Sequence, residues 1–300
     1  AGQPALPDLL ADIEAIDAIR IDGAGRQRLV TLERNDNAWN IAELGAYPAA
    51  RSEVNGLLIA LADARIVEEK TSDPAFHARL GVESVDSADA AGVEVTLNAG
   101  ADVRYAIVIG DTYTAGSAYA RLAESTQAVL IDQNPDIPRD PSAWVDTTIL
   151  SVADPVQEVR ISHPDGEDVV IRRESADQTD FVVDDIPDGR ALQYAGVANV
   201  TANLLQDLQL ESVRGQSDDR PDPSVTTTFR TFDGLEVTVR SHQDANSDDA
   251  WLTFAAGPAD NATAREINAR VSGFEYRIAS YQHSQLTRRL DALLAPVADE

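Results

Sequence analysis

Three hundred residues carry 24 Lys and Arg against 51 Asp and Glu, a formal charge of −27, with neither Cys nor Met. Such a chain repels polyanions unless a local basic patch exists, which disfavours nucleic acid and anionic membrane surfaces as partners; Lys70 is the single lysine, and the arginines are scattered along the sequence. Without cysteine there is no disulfide framework, thiolate nucleophile, CxxC redox pair or cysteine zinc site.

At roughly 100–200 residues per domain the length implies two domains, and a 43 % hydrophobic content fills two modest cores built mainly from Val, Ile, Leu and Ala, because aromatics are only 5 %. No run approaches the roughly 18 apolar residues of a membrane span. Ala1 in place of Met implies a removed amino-terminal segment.

In chain order, Pro7 to Ala18 reads as a short amphipathic helix with Leu9, Leu10, Ile13 and Ile16 at helical spacing. A hairpin follows, Ile19-Arg20-Ile21 turning at Asp22-Gly23-Ala24-Gly25 into Arg28 to Glu33, and Trp39-Asn40-Ile41 forms a third strand. After Tyr47-Pro48, Val54, Leu57, Leu58 and Leu61 share one face of a helix that covers the hairpin sheet. Asp73-Pro74 to Leu80-Gly81 is a short helix with an N-cap aspartate, proline at its first position and glycine past its end. Val93 to Leu97 and Tyr105 to Ile109 pair through Asn98-Ala99-Gly100, and Tyr119 to Leu122 with Val129 to Ile131 extends the same antiparallel sheet. Asp140-Pro141-Ser142-Ala143-Trp144 starts another capped helix, and Asp154-Pro155 marks a boundary.

The second half reruns this order. Val159-Arg160-Ile161 answers Ile19-Arg20-Ile21, His163-Pro164-Asp165-Gly166 turns into Val169 to Arg173, and Phe181-Val182-Val183 answers Trp39-Asn40-Ile41. A helix with Val197, Val200, Leu204, Leu205 and Leu208 leads to Glu211-Ser212-Val213, then Val225 to Phe232 and Leu235 to Arg240 turn at Asp233-Gly234. Phe274 to Ile278 and a helix over Leu286 to Leu294 close the unit. The offset drifts as turn lengths change, the behaviour of an internal repeat. These readings give an α+β fold of two tandem repeated units, residues 1–152 and 153–300, each an antiparallel sheet covered by one or two helices. A Rossmann or P-loop reading fails, since neither GxGxxG nor GxxxxGK[ST] occurs.

Through the order Trp39, Tyr47-Pro48, Leu61-Ala62, Leu80-Gly81, Ile109-Gly110, Trp144-Val145-Asp146 and Phe232-Asp233-Gly234-Leu235, the sequence resembles a bacterial family catalogued as domain of unknown function 4340, from about Leu6 to Leu294. The resemblance implies an envelope protein with an amino-terminal membrane anchor and a large extracytoplasmic region, accessory to a gliding-motility-type ABC transport system. It supplies no catalytic residues, and the anchor is missing from this sequence.

The four histidines, His77, His163, His242 and His283, stand outside helical or hairpin spacing of one another, and HExxH is absent; His77 and His163 read as surface residues. GxSxG is missing, and Ser117 and Ser217 lack the strand-elbow-helix context of a nucleophile. Asp184-Asp185, Asp218-Asp219 and Asp248-Asp249 are pairs that an acidic composition produces by chance, and Asp177 to Asp180 and Asp218 to Asp222 read as polar turns. Asp244 to Asp249 places oxygen ligands at alternate positions, as Ca²⁺ prefers, but fails the EF-hand test at Asp249 and Ala255. Trp39, Trp144 and Trp251 read as core anchors.

No catalytic, cofactor-binding or metal-binding residue is therefore assigned. The reading is a non-enzymatic periplasmic binding and assembly module, with ABC-type transporter membrane subunits or other envelope proteins as partners, no nucleic acid, no cofactor, and contact with the inner membrane only through the missing anchor. The alternatives are a metal-assisted envelope hydrolase and a solute-binding protein with a cleft between the repeats. The negative charge belongs in turns and on outer faces.

Overall fold

The computed structural model describes residues 2–244, 247 and 249–296. The chain divides into two units, Ala1–Asp146 and Thr147–Glu300. Each is an antiparallel sheet with a few short helices, an α+β architecture.

Unit 1 contributes β1 (Gln3–Pro4), β2 (Ala18–Gly23), β3 (Gln27–Asn35), β4 (Ala38–Ile41), β5 (Tyr47–Pro48), β6 (Arg65–Glu69), β7 (Val93–Ala99), β8 (Asp102–Thr114), β9 (Ser117–Leu122) and β10 (Ala128–Ile131). They form one sheet in the order β1-β6-β10-β9-β8-β7-β2-β3-β4-β5. Buried aliphatic pairs set its register: Ile19 lies opposite Leu32 on one side and Leu97 on the other, and all three are fully buried. On β7 the alternation is lost, because Val93 to Asn98 is buried on both faces. Its buried Glu94 is met by the Arg26 guanidinium at 2.9 Å.

Helix α1 (Leu9–Asp12) is a single turn followed by a 3-10 turn at Ile13–Ala15, so the helix expected over Pro7 to Ala18 stops early. Asp8 enters it in the left-handed region and Ile16 leaves it extended, towards β2. Helix α2 (Arg51–Asp63) buries Val54, Leu57, Leu58 and Leu61, the face its spacing predicts. Asp73 and Asp140 each cap the turn that follows, their Oδ1 accepting from Ala75 N–H at 3.0 Å and Ser142 N–H at 2.8 Å, but both turns are 3-10.

Several of the short sequence signatures meet in space within unit 1. Ala49 N–H donates to Trp39 O at 2.8 Å, Ala50 N–H to Trp144 O at 2.7 Å and Asp146 N–H to Pro48 O at 3.0 Å. Leu80-Gly81 and Ile109-Gly110 form a second crossing, where Asp111 N–H donates to Leu80 O at 2.9 Å. Backbones approach so closely there that a Cβ on Gly110 would lie 2.3 Å from Leu80 O.

Unit 2 contributes β11 (Thr148–Leu150), β12 (Val156–Ser162), β13 (Asp168–Arg172), β14 (Val182–Val183), β15 (Leu208–Gln209), β16 (Ser212–Gly215), β17 (Val225–Thr231), β18 (Glu236–Gln243), β19 (Ala250–Gly257) and β20 (Phe274–Arg277). β11 pairs with β15, and the other eight form a sheet in the order β14-β13-β12-β17-β18-β19-β20-β16. Between its two-residue edge strands, unit 1 runs β4-β3-β2-β7-β8-β9-β10-β6, so the two sheets share one strand order.

The helices of unit 2 depart from the sequence expectation. Over Val197 to Leu208 there is only α3 (Asn199–Ala202) and a 3-10 turn at Leu204–Gln206, after which Leu208 joins β15. Gly196 is left-handed before it, and Asn203 and Asp207 leave helical geometry within it. The helix expected over Leu286 to Leu294 is displaced upstream to α5 (Ser280–Leu286), with a 3-10 turn at Leu290–Leu293. Helix α4 (Ala262–Val271), inserted between β19 and β20, was not anticipated, although Asn261 caps it by accepting from Ala264 N–H at 3.1 Å.

Candidate functional site

Glu275, on β20, is fully buried. Cross-strand register places Arg214 of β16 opposite it, and alternation along β20 puts Arg277 on the same face. Leu252 lies opposite Tyr276, which turns Trp251 of β19 and its neighbour His242 of β18 to that face too. One sheet face thus gathers residues from four segments.

The carboxylate of Glu275 accepts from Arg214 Nε at 2.9 Å, Arg220 Nη1 at 3.1 Å and Ser217 N–H at 3.2 Å. Burial by itself would raise this carboxyl; the three donors outweigh it and leave the group below the usual glutamate range. With its amide turned, the Gln216 side-chain oxygen also accepts from Arg220. Arg214 stacks on Trp251 with its guanidinium carbon 3.8 Å from the ring centroid, while Nη1 stands 3.7 Å from Asp244.

Beside this stack His242 is buried, one ring nitrogen bonded to Pro221 O at 2.8 Å and the other to Thr253 Oγ1 at 3.1 Å. Nδ1–H donating to the carbonyl and Nε2 accepting from the hydroxyl describes a neutral imidazole, and burial lowers its pKa in agreement. The cleft above these groups is about 200 Å³ and is lined by Arg214, Trp251, His242 and Asp244. A second open cleft of about 330 Å³ lies by Arg277, Glu211, Asp249 and His283. There Arg277 donates to Asp249 at 3.2 Å and to Ser212 Oγ at 3.1 Å.

His283 contacts Ser241 Oγ at 2.8 Å, and burial depresses its pKa. Ser241 is itself buried in the middle of β18 and does not line the cleft that His283 reaches, so the pair acts as a buried hydrogen bond. His77 and His163 are buried, not surface residues as expected: a nitrogen of each is bonded to a carbonyl, Thr126 O at 2.8 Å and Arg288 O at 3.2 Å. Their turns lie beneath neighbouring loops, a tertiary effect that local spacing does not carry.

The other candidates fall in local structure. Ser117 and Thr114 share a hydroxyl bond in the β8–β9 turn, and Ser217 Oγ accepts from Asp219 N–H. Asp184 holds Arg172, and Asp180 accepts from Asn199. In the Asp244–Asp249 loop, Ala245, Asn246 and Asp248 lie outside the described residues, so the Ca²⁺ reading there does too; Asp244 N–H donates to Asp249 O. Among the described residues no group of three or more His, Asp or Glu is placed to hold a metal ion.

Trp39 and Trp144 are buried, but Trp251 is only half-buried and serves as the floor for Arg214. Arginines scattered in sequence are brought together here, a correction to the sequence picture. The one local signal was the alternation Phe274-Glu275-Tyr276-Arg277, a carboxylate within an apolar strand. Chemically, Glu275 is committed to three donors and His242 to two partners; what remains open is a rigid indole–guanidinium platform flanked by carboxylates.

A family model described as a domain of unknown function, DUF4340, matches residues 39–226, more than half of the chain. Neither the curated proteins nor the solved structures include a match.

Proposed function

Because this chain belongs to the DUF4340 family, whose description names no activity, we propose its role from its own surface chemistry: a non-enzymatic binding and assembly module of the cell envelope, extracytoplasmic and accessory to an ABC-type transport system. The observation that carries the binding role is the Arg214–Trp251 stack, braced from beneath by buried Glu275. Tryptophan and arginine dominate the energetics of protein interfaces, and a side chain already held in its bound geometry loses little entropy on association. The shared strand order of the two sheets supports an origin by duplication. No helix of the described residues is long and apolar enough to cross a membrane. The transport link rests on the family resemblance.

The test is a photo-cross-linking amino acid placed at Gln243, which lines the same cleft as the stack, in a functional tagged strain. Adducts with transporter membrane subunits are expected. Absence of any adduct, together with undiminished partner recovery by Trp251→Ala, refutes the reading.

A further inference from the structure

The eight-stranded sheet of unit 2 ends on β16, whose one strand neighbour among the described residues is β20. Gln216 N–H donates to Gly273 O at 2.8 Å. In antiparallel pairing this turns the N–H and C=O of Gly215, and of Val213 two residues earlier, away from β20. That outer rim is open: Arg214 and Gly215 are exposed, Val213 is half-buried, and a Cβ on Gly215 would meet nothing within 4 Å.

Sheet edges are ordinarily blunted by shortness, proline or lysine. The edges of unit 1 follow this rule, since β1 and β5 are two residues each and each ends in proline. In unit 2, β14 has two residues, whereas β16 has four, with neither proline nor lysine. The fold also shows what this edge accepts. β6 holds in unit 1 the place that β16 holds in unit 2, and β6 carries an added strand there, Gln3 opposite Ile66 and Pro4 opposite Arg65; just upstream of β16 the chain takes β11 in the same way, Leu210 N–H donating to Thr147 O at 2.8 Å, so the rim left open is Val213 to Gly215.

We propose that β16 takes up an extended segment of another protein as an additional strand, and that this segment has a β-branched centre flanked by Lys or Arg. Main-chain pairing with Val213 and Gly215 supplies affinity, and the flanks supply selection. Directly after β16, Asp218, Asp219 and Asp222 are exposed, while Arg220 among them is occupied by Glu275. The whole chain carries −27, which steers a basic segment towards it and opposes a second copy of the same charge. This inference rests on the binding-module reading and names its contact.

Backbone amide exchange is followed in the intact chain with three probes: a nine-residue peptide of alternating Val and Thr closed at each end by two Lys, its Glu-closed counterpart, and no peptide. The Lys-closed peptide is expected to protect the Val213 and Gly215 amides, the Glu-closed one to leave them exchanging. Val213→Pro, which removes an N–H that the sheet does not use, weakens the Lys-closed peptide at least about tenfold, and the pair Asp218→Lys with Asp219→Lys weakens it about threefold or more. Protection elsewhere, equal protection by the Glu-closed peptide, or unchanged binding by Val213→Pro and the Asp pair alike overturns the proposal. Self-association at β16 in sedimentation overturns it as well. If Val213→Pro still recovers transporter subunits from envelopes, the module reading stands and β16 is not its contact; if peptides bind as stated while the parent chain recovers nothing, the reverse holds.

Discussion

Arg214 lies 3.8 Å above the Trp251 ring and 2.9 Å from the buried Glu275 carboxylate, so one guanidinium joins a half-buried indole to a charge in the sheet. The two contacts differ in worth. An exposed cation–π pair contributes about 0.5–1 kcal/mol, whereas removing one member of a buried ion pair costs about 3–5 kcal/mol, here towards the lower end because both arginines retain solvent contact. Trp251→Ala is therefore expected to lower stability by about 1 kcal/mol, and Glu275→Ala by about 3 kcal/mol. Urea titrations compare them. Equal losses would show that Glu275 does not organise the site.

Both histidines of this region respond to pH in one direction. Burial lowers His242 and His283 below the ordinary imidazole value near 6.5, so the unfolded chain takes up protons that the folded chain refuses. Their contribution is complete above about pH 6.5 and is lost as pH falls from there through the depressed folded values. Glu275 has the same sign at lower pH, its contribution present above the unfolded glutamate value and lost in acid. The urea midpoint is expected to fall between pH 7.5 and 5.5, and to fall less in His283→Gln. A flat midpoint over that interval is incompatible with neutral, buried imidazoles.

Strand positions were legible because β-branched alternation is local: Ile19-Arg20-Ile21 and Val159-Arg160-Ile161 announce their own buried faces. Caps at Asp73 and Asp140 were legible for the same reason. Helix lengths were not, since at Asn203 and Asp207 the chain abandons helical geometry to feed β15. The site was least legible of all. Glu275 meets Arg214 across 61 residues and Arg220 across 55, so neither composition nor spacing marks them as partners; only the β16–β20 register does.

Two glycines make opposite demands. A Cβ on Gly110 would stand 2.3 Å from Leu80 O and 2.8 Å from the Gly81 carbonyl carbon, both backbone atoms, while one on Gly56, in α2, meets nothing. Gly110→Ala forces the crossing apart and is expected to cost more than about 2 kcal/mol, whereas Gly56→Ala gains about 0.5–1 kcal/mol from helix propensity and a more restricted unfolded chain. Thermal unfolding of the two variants should move in opposite directions. Tolerance of alanine at position 110 would mean that the Leu80-Gly81 and Ile109-Gly110 segments do not pack as described.

Trp144 tests whether the signatures that meet in unit 1 act together. Its indole is buried, Nε1–H donates to Pro138 O at 3.0 Å, and its carbonyl accepts from Ala50 N–H ahead of α2. Trp144→Phe keeps an aromatic ring but leaves the Pro138 carbonyl unbonded and a gap where the larger ring system stood, at a cost of about 1–3 kcal/mol. Because Asp146 N–H and Pro48 O close the same segment, the loss should spread beyond the ring. Amide exchange at Ala50 and Asp146 is expected to quicken more than at Ile21 or Val95, which sit in the middle of the sheet. Equal acceleration at all four amides would make Trp144 a general core residue, and unchanged exchange at Ala50 and Asp146 would remove it from the closure altogether.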